Sequence, residues 1–402
     1  MNRVKDWRQY RNATRAVRAG QYQDVGDQHS EALALTSSYV FDDAEDAAEK
    51  FAGTRSGNVY IRFTNPTTLA FEQRIAAMEG AEDAASVASG MAGYLAVAMA
   101  LLQAGDHVIL GAGMFGTTTR LFESYLRKFQ VDVSVAGVVD LADWRALVRP
   151  NTKMFVVESP TNPIMQVADI RGLALLAAES GALLAVDNTL CTPVYQNPID
   201  LGADLVLHSA AKYIDGQGRC GGGVVAGRAD LIAEVRGVLR TMGPSLSPFN
   251  AWVFLKGLET LRIRMREHSL NAQIVAEWLA VHPDVEQVFY TGLTNHPQTE
   301  LVAKQQSGHG GLVSFTVRGG QERAWALVDR LELISNTTNI GDTKSMITHP
   351  ATTTHGRLSC AQKLASGIFG NLLRISVGLE DVQDIIADLD GALQHSTGEA
   401  GR

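Results

Sequence analysis

The length, composition and charge of the chain are those of a compact globular protein. It has 402 residues, of which 46% are hydrophobic and 19% are charged. This is enough apolar material for a full core, and it argues against disorder. The formal net charge is −8, from 35 basic and 43 acidic residues. An acidic balance disfavours contact with a phosphate backbone, so we expect no nucleic-acid partner.

Cysteine usage and the amino end indicate a reducing compartment. Cys191, Cys220 and Cys360 are far apart and form neither a disulfide framework nor a metal-binding spacing. The amino end is charged, and no apolar signal core follows it. Residues 84–105 carry no charged side chain, but their dense apolar part covers only 94–102, which favours a buried helix over a membrane span. We therefore expect a cytoplasmic protein without a metal centre or a membrane partner.

The chain begins with an arm, which two larger units follow. Residues 1–60 have too little apolar content to fold alone, and their helical signal lies at 42–51. A helix predicted at 68–80 lies at the start of the second unit, residues 61–260. A helical stretch at 250–281 leads into the third, smaller unit, residues 261–402. Its predicted elements are strands at 312–317 and 372–377, a polar loop containing Ser345, His349 and His355, and a closing helix after Glu380.

Strands and helices alternate through the second unit. Unbroken apolar runs predict the strands, and helical patterns lie between them. This alternation predicts an α/β fold with a mainly parallel central sheet and helices on both faces. The predicted strands lie at 107–110, 131–135, 154–158, 183–187, 205–207 and 222–227, with helices near 121–129 and 170–180.

Polar side chains follow three consecutive predicted strands at their carboxyl ends. Glu158 and Asn162 follow one strand, Asp187 ends the next, and Ser209 and Lys212 follow the third. Functional residues of parallel sheets gather beyond these ends. A lone lysine is usually a solvated surface charge. The coincidence across three strands nevertheless predicts a site in which a partly enclosed Lys212 amine can attack a carbonyl.

Residues 216–221 match the letters of the dinucleotide fingerprint G-x-G-x-x-G. That fingerprint has meaning only directly after a strand and at the start of a helix. Here a β-type run follows, so we interpret the match as a turn. This argues against a nicotinamide-dependent oxidoreductase.

The residue types at the predicted edge suit pyridoxal 5′-phosphate (PLP). This cofactor needs a lysine, an acidic partner for its ring nitrogen, an aromatic face and a nest for its phosphate. Lys212 and Asp187 supply the first two. Phe115 is a candidate for stacking on the ring, with core packing as the alternative. Residues 89–91 open a helix and offer backbone N–H groups to a phosphate, with a plain helix cap as the alternative.

Arg374 lies between apolar neighbours in a predicted strand. A guanidinium in such a place needs a partner. The carboxylate of an amino-acid substrate is one candidate, and a structural ion pair is the other.

Seven motifs spread over nearly the whole chain resemble those of one family. This is the cystathionine γ-synthase/γ-lyase family of PLP-dependent enzymes in cysteine and methionine metabolism. The motifs are Tyr60-x-Arg62-x-x-Asn-Pro-Thr, Ala88-Ser-Gly-Met, Glu158-Ser-Pro-Thr-Asn-Pro, Val186-Asp-Asn-Thr, His208-Ser-x-x-Lys-Tyr, Gly341-Asp-x-x-Ser345 and Arg374-x-Ser-Val-Gly-Leu-Glu-Asp.

The resemblance implies the PLP-dependent transferase fold of type I and a homotetramer of tight dimers. It implies that the arm contacts the neighbouring subunit, where Tyr60 and Arg62 reach that subunit's cofactor phosphate. It also implies two groups of residues within one subunit. Ser89, Gly90, Met91 and Ser209 would hold the phosphate, and Arg374, Ser345 and Asn162 would bind substrate.

Two departures point to one branch of the family. Phe115 stands where a tyrosine is usual, so another group, with Tyr60 as a candidate, would supply the missing acid. Ala211 stands where threonine is common, which removes one phosphate hydroxyl. With residues 213–219, Phe115 resembles the O-succinylhomoserine sulfhydrylase branch, which implies O-succinylhomoserine and sulfide as substrates. The alternatives are a cystathionine γ-synthase, an O-acetylhomoserine sulfhydrylase, a methionine or cystathionine γ-lyase, and a non-catalytic binding protein of the same fold.

Overall fold

A seven-stranded sheet forms the centre of the larger unit. The computed structural model describes residues 6–21 and 29–395. The strand order is β1-β7-β6-β5-β4-β2-β3, and the five strands from β6 to β3 run parallel. Strand β7 is antiparallel to both of its neighbours. The strands are β1 (Asp83–Val87), β2 (His107–Gly111), β3 (Asp132–Ala136), β4 (Thr152–Glu158), β5 (Leu183–Asp187), β6 (Leu205–His208) and β7 (Gly223–Gly227).

Helices cover both faces of this sheet, which confirms the predicted α/β architecture. One apolar cluster joins the sheet to α4 and α9, and another joins it to α6 and α7. The helices are α1 (Asn12–Arg18), α2 (Ala44–Ala52), α3 (Pro66–Glu79), α4 (Gly90–Leu101), α5 (Gly116–Arg120), α6 (Leu141–Leu147), α7 (Ile170–Ser180), α8 (Thr192–Tyr195), α9 (Ala229–Met242), α10 (Pro248–Val281), α11 (Thr299–Gln305), α12 (Gly320–Arg330), α13 (Cys360–Ala365) and α14 (Val382–His395).

Helix α4 explains the run without charged side chains. It packs against α9 on one side and against β6 and β7 on the other, so a charged side chain on either surface would be buried without a partner. Within the described residues, no helix combines the length and the apolar character needed to cross a bilayer.

The smaller unit is built on a second sheet. Its strand order is β10-β11-β12-β9-β8, and all neighbours are antiparallel except β10 and β11. The strands are β8 (Val285–Phe289), β9 (Leu312–Val317), β10 (Ser335–Asn336), β11 (Met346–Thr348) and β12 (Leu372–Ser376). Helix α10 runs unbroken from the larger to the smaller unit, and the boundary predicted between residues 260 and 261 lies inside it.

Two local predictions were wrong. The single helix expected near 121–129 is a π-helical turn at Leu121–Tyr125 followed by a 3₁₀ turn at Leu126–Phe129. The loop expected around Ser345 contains strand β11, because this short segment pairs with both β10 and β12. A segment of three residues is too short to show the apolar–polar alternation that identifies a strand from sequence.

Part of the predicted arm packs on its own chain. The Asn12 amide donates hydrogen bonds of 2.9 Å to the carbonyls of Met78 and Pro193. The Arg74 guanidinium, which is fully buried, donates to the Ala19 carbonyl at 2.7 Å. These bonds tie helix α1 to α3 and α8.

Candidate active site

The carboxyl ends of three adjacent strands meet at one cavity. Strands β4, β5 and β6 are neighbours in the sheet, with Glu158 opposite Asp187 and Asp187 opposite Leu207. The cavity has a volume of about 360 Å³. The structure thus brings together the side chains that the sequence placed at strand ends. The described residues lining it are Ser89, Gly90, Met91, Tyr94, Phe115, Thr118, Glu158, Asn162, Asp187, Thr189, Leu190, Ser209, Lys212, Thr337, Thr338, Asn339, Ile340, Thr354 and Arg374.

Lys212 presents a poorly solvated amine to this cavity. Burial, and to a smaller extent the charge of Arg374, lowers the pKa of Lys212 to about 8. Its Nζ donates a hydrogen bond to the side-chain oxygen of Asn339. A lower pKa raises the fraction of neutral amine near neutral pH, and only the neutral amine attacks a carbonyl.

Asp187 is held in place by two donors at the end of β5. The Tyr94 hydroxyl donates to its Oδ2 at 2.7 Å, and the Thr189 N–H donates to its Oδ1 at 2.9 Å. Glu158 lies on the neighbouring strand. Burial, together with the nearby charge of Asp187, raises the pKa of Glu158 well above its ordinary value. A raised pKa favours the neutral form of Glu158.

The start of helix α4 forms a close-fitting cradle. The Ser89 hydroxyl accepts a hydrogen bond from the Ala92 N–H at 3.1 Å and so caps the helix. The first N–H groups of a helix have no partner within it and favour an anion. Gly90 is needed here because a Cβ at this position would lie 2.9 Å from the Ser209 Cβ. The cradle therefore joins a helix start to Ser209, as a phosphate site requires.

Arg374 is buried and lacks a carboxylate partner among the described residues. Its Nη1 donates to the Asn162 side-chain oxygen at 3.1 Å, and its Nη2 donates to the Thr338 carbonyl at 2.8 Å. The Nε is buried without a hydrogen-bond partner. Burial lowers the pKa of Arg374 to about 10, so it stays charged at neutral pH. This arrangement favours an incoming carboxylate over the structural ion pair.

Three predicted site residues lie outside the cavity lining of the single chain. Ser345 is fully buried, and its hydroxyl donates to Glu380 at 2.9 Å and accepts from the Gly378 N–H at 2.8 Å. These bonds hold the Ser345 hydroxyl between Glu380 and Gly378, which do not line the cavity. Arg62 lies over the half-exposed ring of Tyr60, with its Cζ 5.7 Å from the ring centroid.

Sequence reasoning missed several residues that contact the predicted site, among them Tyr94 and Asn339. Tyr94 and Asn339 touch Asp187 and Lys212, from 93 and 127 residues away in the chain. Tyr94 lies one helical turn after Gly90, on the α4 face that also points to the cavity. That spacing was a usable signal for Tyr94. Asn339 lies in an irregular segment and carries no comparable signal.

Comparison with known proteins identifies the family. The family model described as Cys/Met metabolism PLP-dependent enzyme matches residues 13–394. The chain belongs to this family. The predicted family and cofactor, PLP, are confirmed.

The similar proteins include two activities. An O-succinylhomoserine sulfhydrylase of Pseudomonas aeruginosa is 56% identical over 94% of this chain and 93% of its own. An L-methionine gamma-lyase of Porphyromonas gingivalis is 40% identical over 95% and 96%.

Solved structures of the same fold confirm the predicted fold class. The metB protein of Corynebacterium glutamicum is 34% identical, with a TM-score of 0.92 over 97% of this chain and 100% of its own. The metY protein of Campylobacter jejuni, solved with N′-pyridoxyl-lysine-5′-monophosphate, is 32% identical, with a TM-score of 0.93 over 96% and 100%.

The cavity suits the cofactor of the family. It offers a desolvated amine at Lys212, a carboxylate at Asp187 and an anion cradle at the start of α4. These groups match the aldehyde, the ring nitrogen and the phosphate of PLP. Phe115 lines the same cavity.

Proposed function

We propose that this protein catalyses a γ-replacement that converts O-succinyl-L-homoserine and hydrogen sulfide into L-homocysteine and succinate. The observation that carries the proposal is the 56% identity, over 94% of the chain, to an O-succinylhomoserine sulfhydrylase. The cavity supports it, since it combines a cation for an α-carboxylate with an amine suited to proton transfer. We also propose the domain limits given above, a cytoplasmic location and a homotetramer.

The residues of the cavity divide the work between binding and proton transfer. Arg374 lines the cavity and binds the substrate α-carboxylate, while Asn162 and the Thr338 carbonyl fix the guanidinium. Lys212 has a pKa of about 8, so its amine takes the α-proton in its neutral form and returns protons in its charged form. Bound PLP supplies an electron sink for the bonds at the α-carbon.

The overall exchange conserves atoms and charge. The Cγ–O bond breaks with its electron pair on the succinate carboxylate. Sulfide provides the electron pair of the new Cγ–S bond, and the proton released from hydrogen sulfide balances the new carboxylate. Asp187, which the Tyr94 hydroxyl holds in place, would be the acidic partner of the cofactor ring nitrogen.

Tyr60 and Arg62 are proposed to serve a neighbouring subunit. Tyr60 is half-exposed, and Arg62 lies over its ring rather than in the cavity of its own chain. A cation and a phenol on such a surface suit the phosphate cradle of an adjacent copy. If so, Tyr60 also remains a candidate for the acid that Phe115 lacks. Ser345, whose hydroxyl bonds to Glu380, would act on the substrate site only indirectly.

The test is a steady-state assay with the purified holoenzyme. Homocysteine should form from O-succinyl-L-homoserine only when sulfide is present, and Lys212→Ala should abolish both turnover and the visible cofactor band. Lys304→Ala, a substitution in helix α11 outside the cavity, is the matched control. Release of methanethiol and 2-oxobutyrate from L-methionine without homocysteine synthesis would instead favour the lyase activity named for the relatives at 40% identity.

A further inference from the structure

A second cavity of about 700 Å³ adjoins the first. The two share Phe115, Thr338 and Thr354 as walls. The proposed roles of the reactive residues leave this second cavity, which we term the annex, without a function. The described residues lining the annex are Phe115, Gly116, Thr117, Thr119, Arg120, Glu123, Ser124, Thr338, Thr353, Thr354, His355, Arg357, Leu358 and Gln362.

The annex carries a surplus of positive charge. Arg120 and Arg357 are its cations and Glu123 its one carboxylate among the described lining residues. His355 is neutral at neutral pH, because burial lowers its pKa to about 4. Lining hydroxyls and the Gln362 amide add neutral hydrogen-bonding groups. This combination suits an organic carboxylate.

Arg357 is the better placed of the two cations to receive a ligand. Within residues 6–21 and 29–395 its guanidinium forms no ion pair. The Arg120 guanidinium lies over the Tyr125 ring, with its Cζ 5.9 Å from the centroid, so part of its surface is already occupied. A planar guanidinium without a partner binds a carboxylate through two parallel hydrogen bonds.

We propose that the annex binds the distal carboxylate of a dicarboxylic acyl ester, and that Arg357 determines the preference for such esters. This inference rests on the proposed function. With the α-carboxylate at Arg374, the acyl chain leaves the reactive cavity past the shared wall and enters the annex. A succinyl group then brings its terminal carboxylate to Arg357, whereas an acetyl group has no charge to offer.

The first experiment compares two esters in the holoenzyme with saturating sulfide. Arg357→Met should lower kcat/KM for O-succinyl-L-homoserine about 10-fold, mainly through KM, because the lost contact is partly solvated. Turnover of O-acetyl-L-homoserine should stay within about 2-fold. Arg357→Lys should recover part of the lost kcat/KM, because lysine keeps the positive charge but cannot donate the two parallel hydrogen bonds of a guanidinium.

The matched control removes a charge from the same segment outside the annex. Lys363 lies six residues after Arg357, and its Nζ is 3.4 Å from the Gly356 carbonyl. It does not line the annex. Lys363→Met should therefore leave the ratio of the two kcat/KM values unchanged. An equal loss for both esters in Arg357→Met, or the same change in Lys363→Met, would overturn the proposal.

A binding measurement separates this inference from the proposed reaction. L-2-aminononanedioate has the same chain length as O-succinyl-L-homoserine but no ester and so no leaving group. L-2-aminononanoate has the same chain without the distal carboxylate. The wild-type holoenzyme should bind the diacid more tightly, as followed by the visible cofactor absorbance, and Arg357→Met should remove that preference. Equal binding of the two analogues by the wild-type protein would refute the proposal that the annex binds the distal carboxylate. Absence of sulfide-dependent homocysteine with the preference intact refutes only the reaction.

Discussion

A lysine with the ordinary pKa of 10.5 is neutral in only about 0.03% of molecules at about pH 7. Burial and the charge of Arg374 lower the pKa of Lys212 to about 8, so about 10% of Lys212 should be neutral at the same pH. The amine of Lys212 should therefore be about 300-fold more available for reaction than that of an ordinary lysine.

This ratio is measurable on the apoprotein by competitive labelling. Trace acetic anhydride is added at a series of pH values, and mass spectrometry follows acetylation of Lys212 against a free N-acetyl-lysine amide standard. The labelling rate of Lys212 should rise to a plateau with a midpoint near pH 8. Arg374→Gln should raise this midpoint only partly, since burial is the larger cause of the shift.

The result that refutes the reasoning is a midpoint at or above that of the standard. The reasoning would also be refuted if Arg374→Gln restored the pKa of Lys212 completely to its ordinary value. In that case the guanidinium charge, and not burial, would be the main cause.

Three further predictions concern the same cavity. Lys212→Met should stabilise the apoprotein by up to about 3 kcal/mol in urea unfolding at neutral pH, because the folded state lowers the lysine pKa and so disfavours its charged form. That gain should fade between about pH 8 and 10.5, where the lysine loses its proton in the folded and then in the unfolded state. Tyr94→Phe removes the 2.7 Å hydrogen bond to Asp187, and kcat should fall about 10- to 100-fold, as for loss of a bond to a charged group. Gly90→Ala would place a Cβ 2.9 Å from the Ser209 Cβ, so the affinity for PLP, measured by equilibrium dialysis, should fall about 10-fold while circular dichroism stays unchanged.

Each of these predictions has its own contradicting result. A gain in Lys212→Met that is the same at all pH values would show that the charge is not its cause. An unchanged kcat in Tyr94→Phe would mean that its hydroxyl has no part in holding Asp187. For Gly90→Ala the control is Gly237→Ala in helix α9, where an added Cβ meets no heavy atom within 4 Å. Equal PLP affinity in these two alanine variants would show that the close approach of residue 90 to Ser209 does not matter for binding the cofactor.

Long elements with a strong local signal could be read from the sequence. Strands β4 and β5 contain unbroken apolar runs at 154–157 and 183–186, and the predicted bounds of α7, residues 170–180, agree with the structure. The end of α7 is marked locally as well, since Gly181 adopts a φ of 69° that favours glycine. Short or irregular elements such as β11 and the turns at 121–129 carried no such signal.

The sequence also determined the chemistry available at one edge of the sheet. Parallel strands place their carboxyl ends at one edge of the sheet, so Asp187 and Lys212 were expected at the same edge once the strands were recognised. The partners of Arg374, in contrast, could not be predicted from the sequence. Only the tertiary structure shows which groups surround Arg374, because its partners, Asn162 and the Thr338 carbonyl, come from other parts of the chain.

Only the tertiary structure determines the pKa values of the site residues and the cavities beside them. The pKa of Lys212 follows from how much protein surrounds it, and the annex arises where α5 meets the segment that contains Arg357. Burial and contact between distant segments depend on the packing of the whole chain, whereas residue types and the residues at strand ends are local properties of the sequence. The sequence therefore predicted the candidate reacting groups, and the fold set their burial and their neighbours.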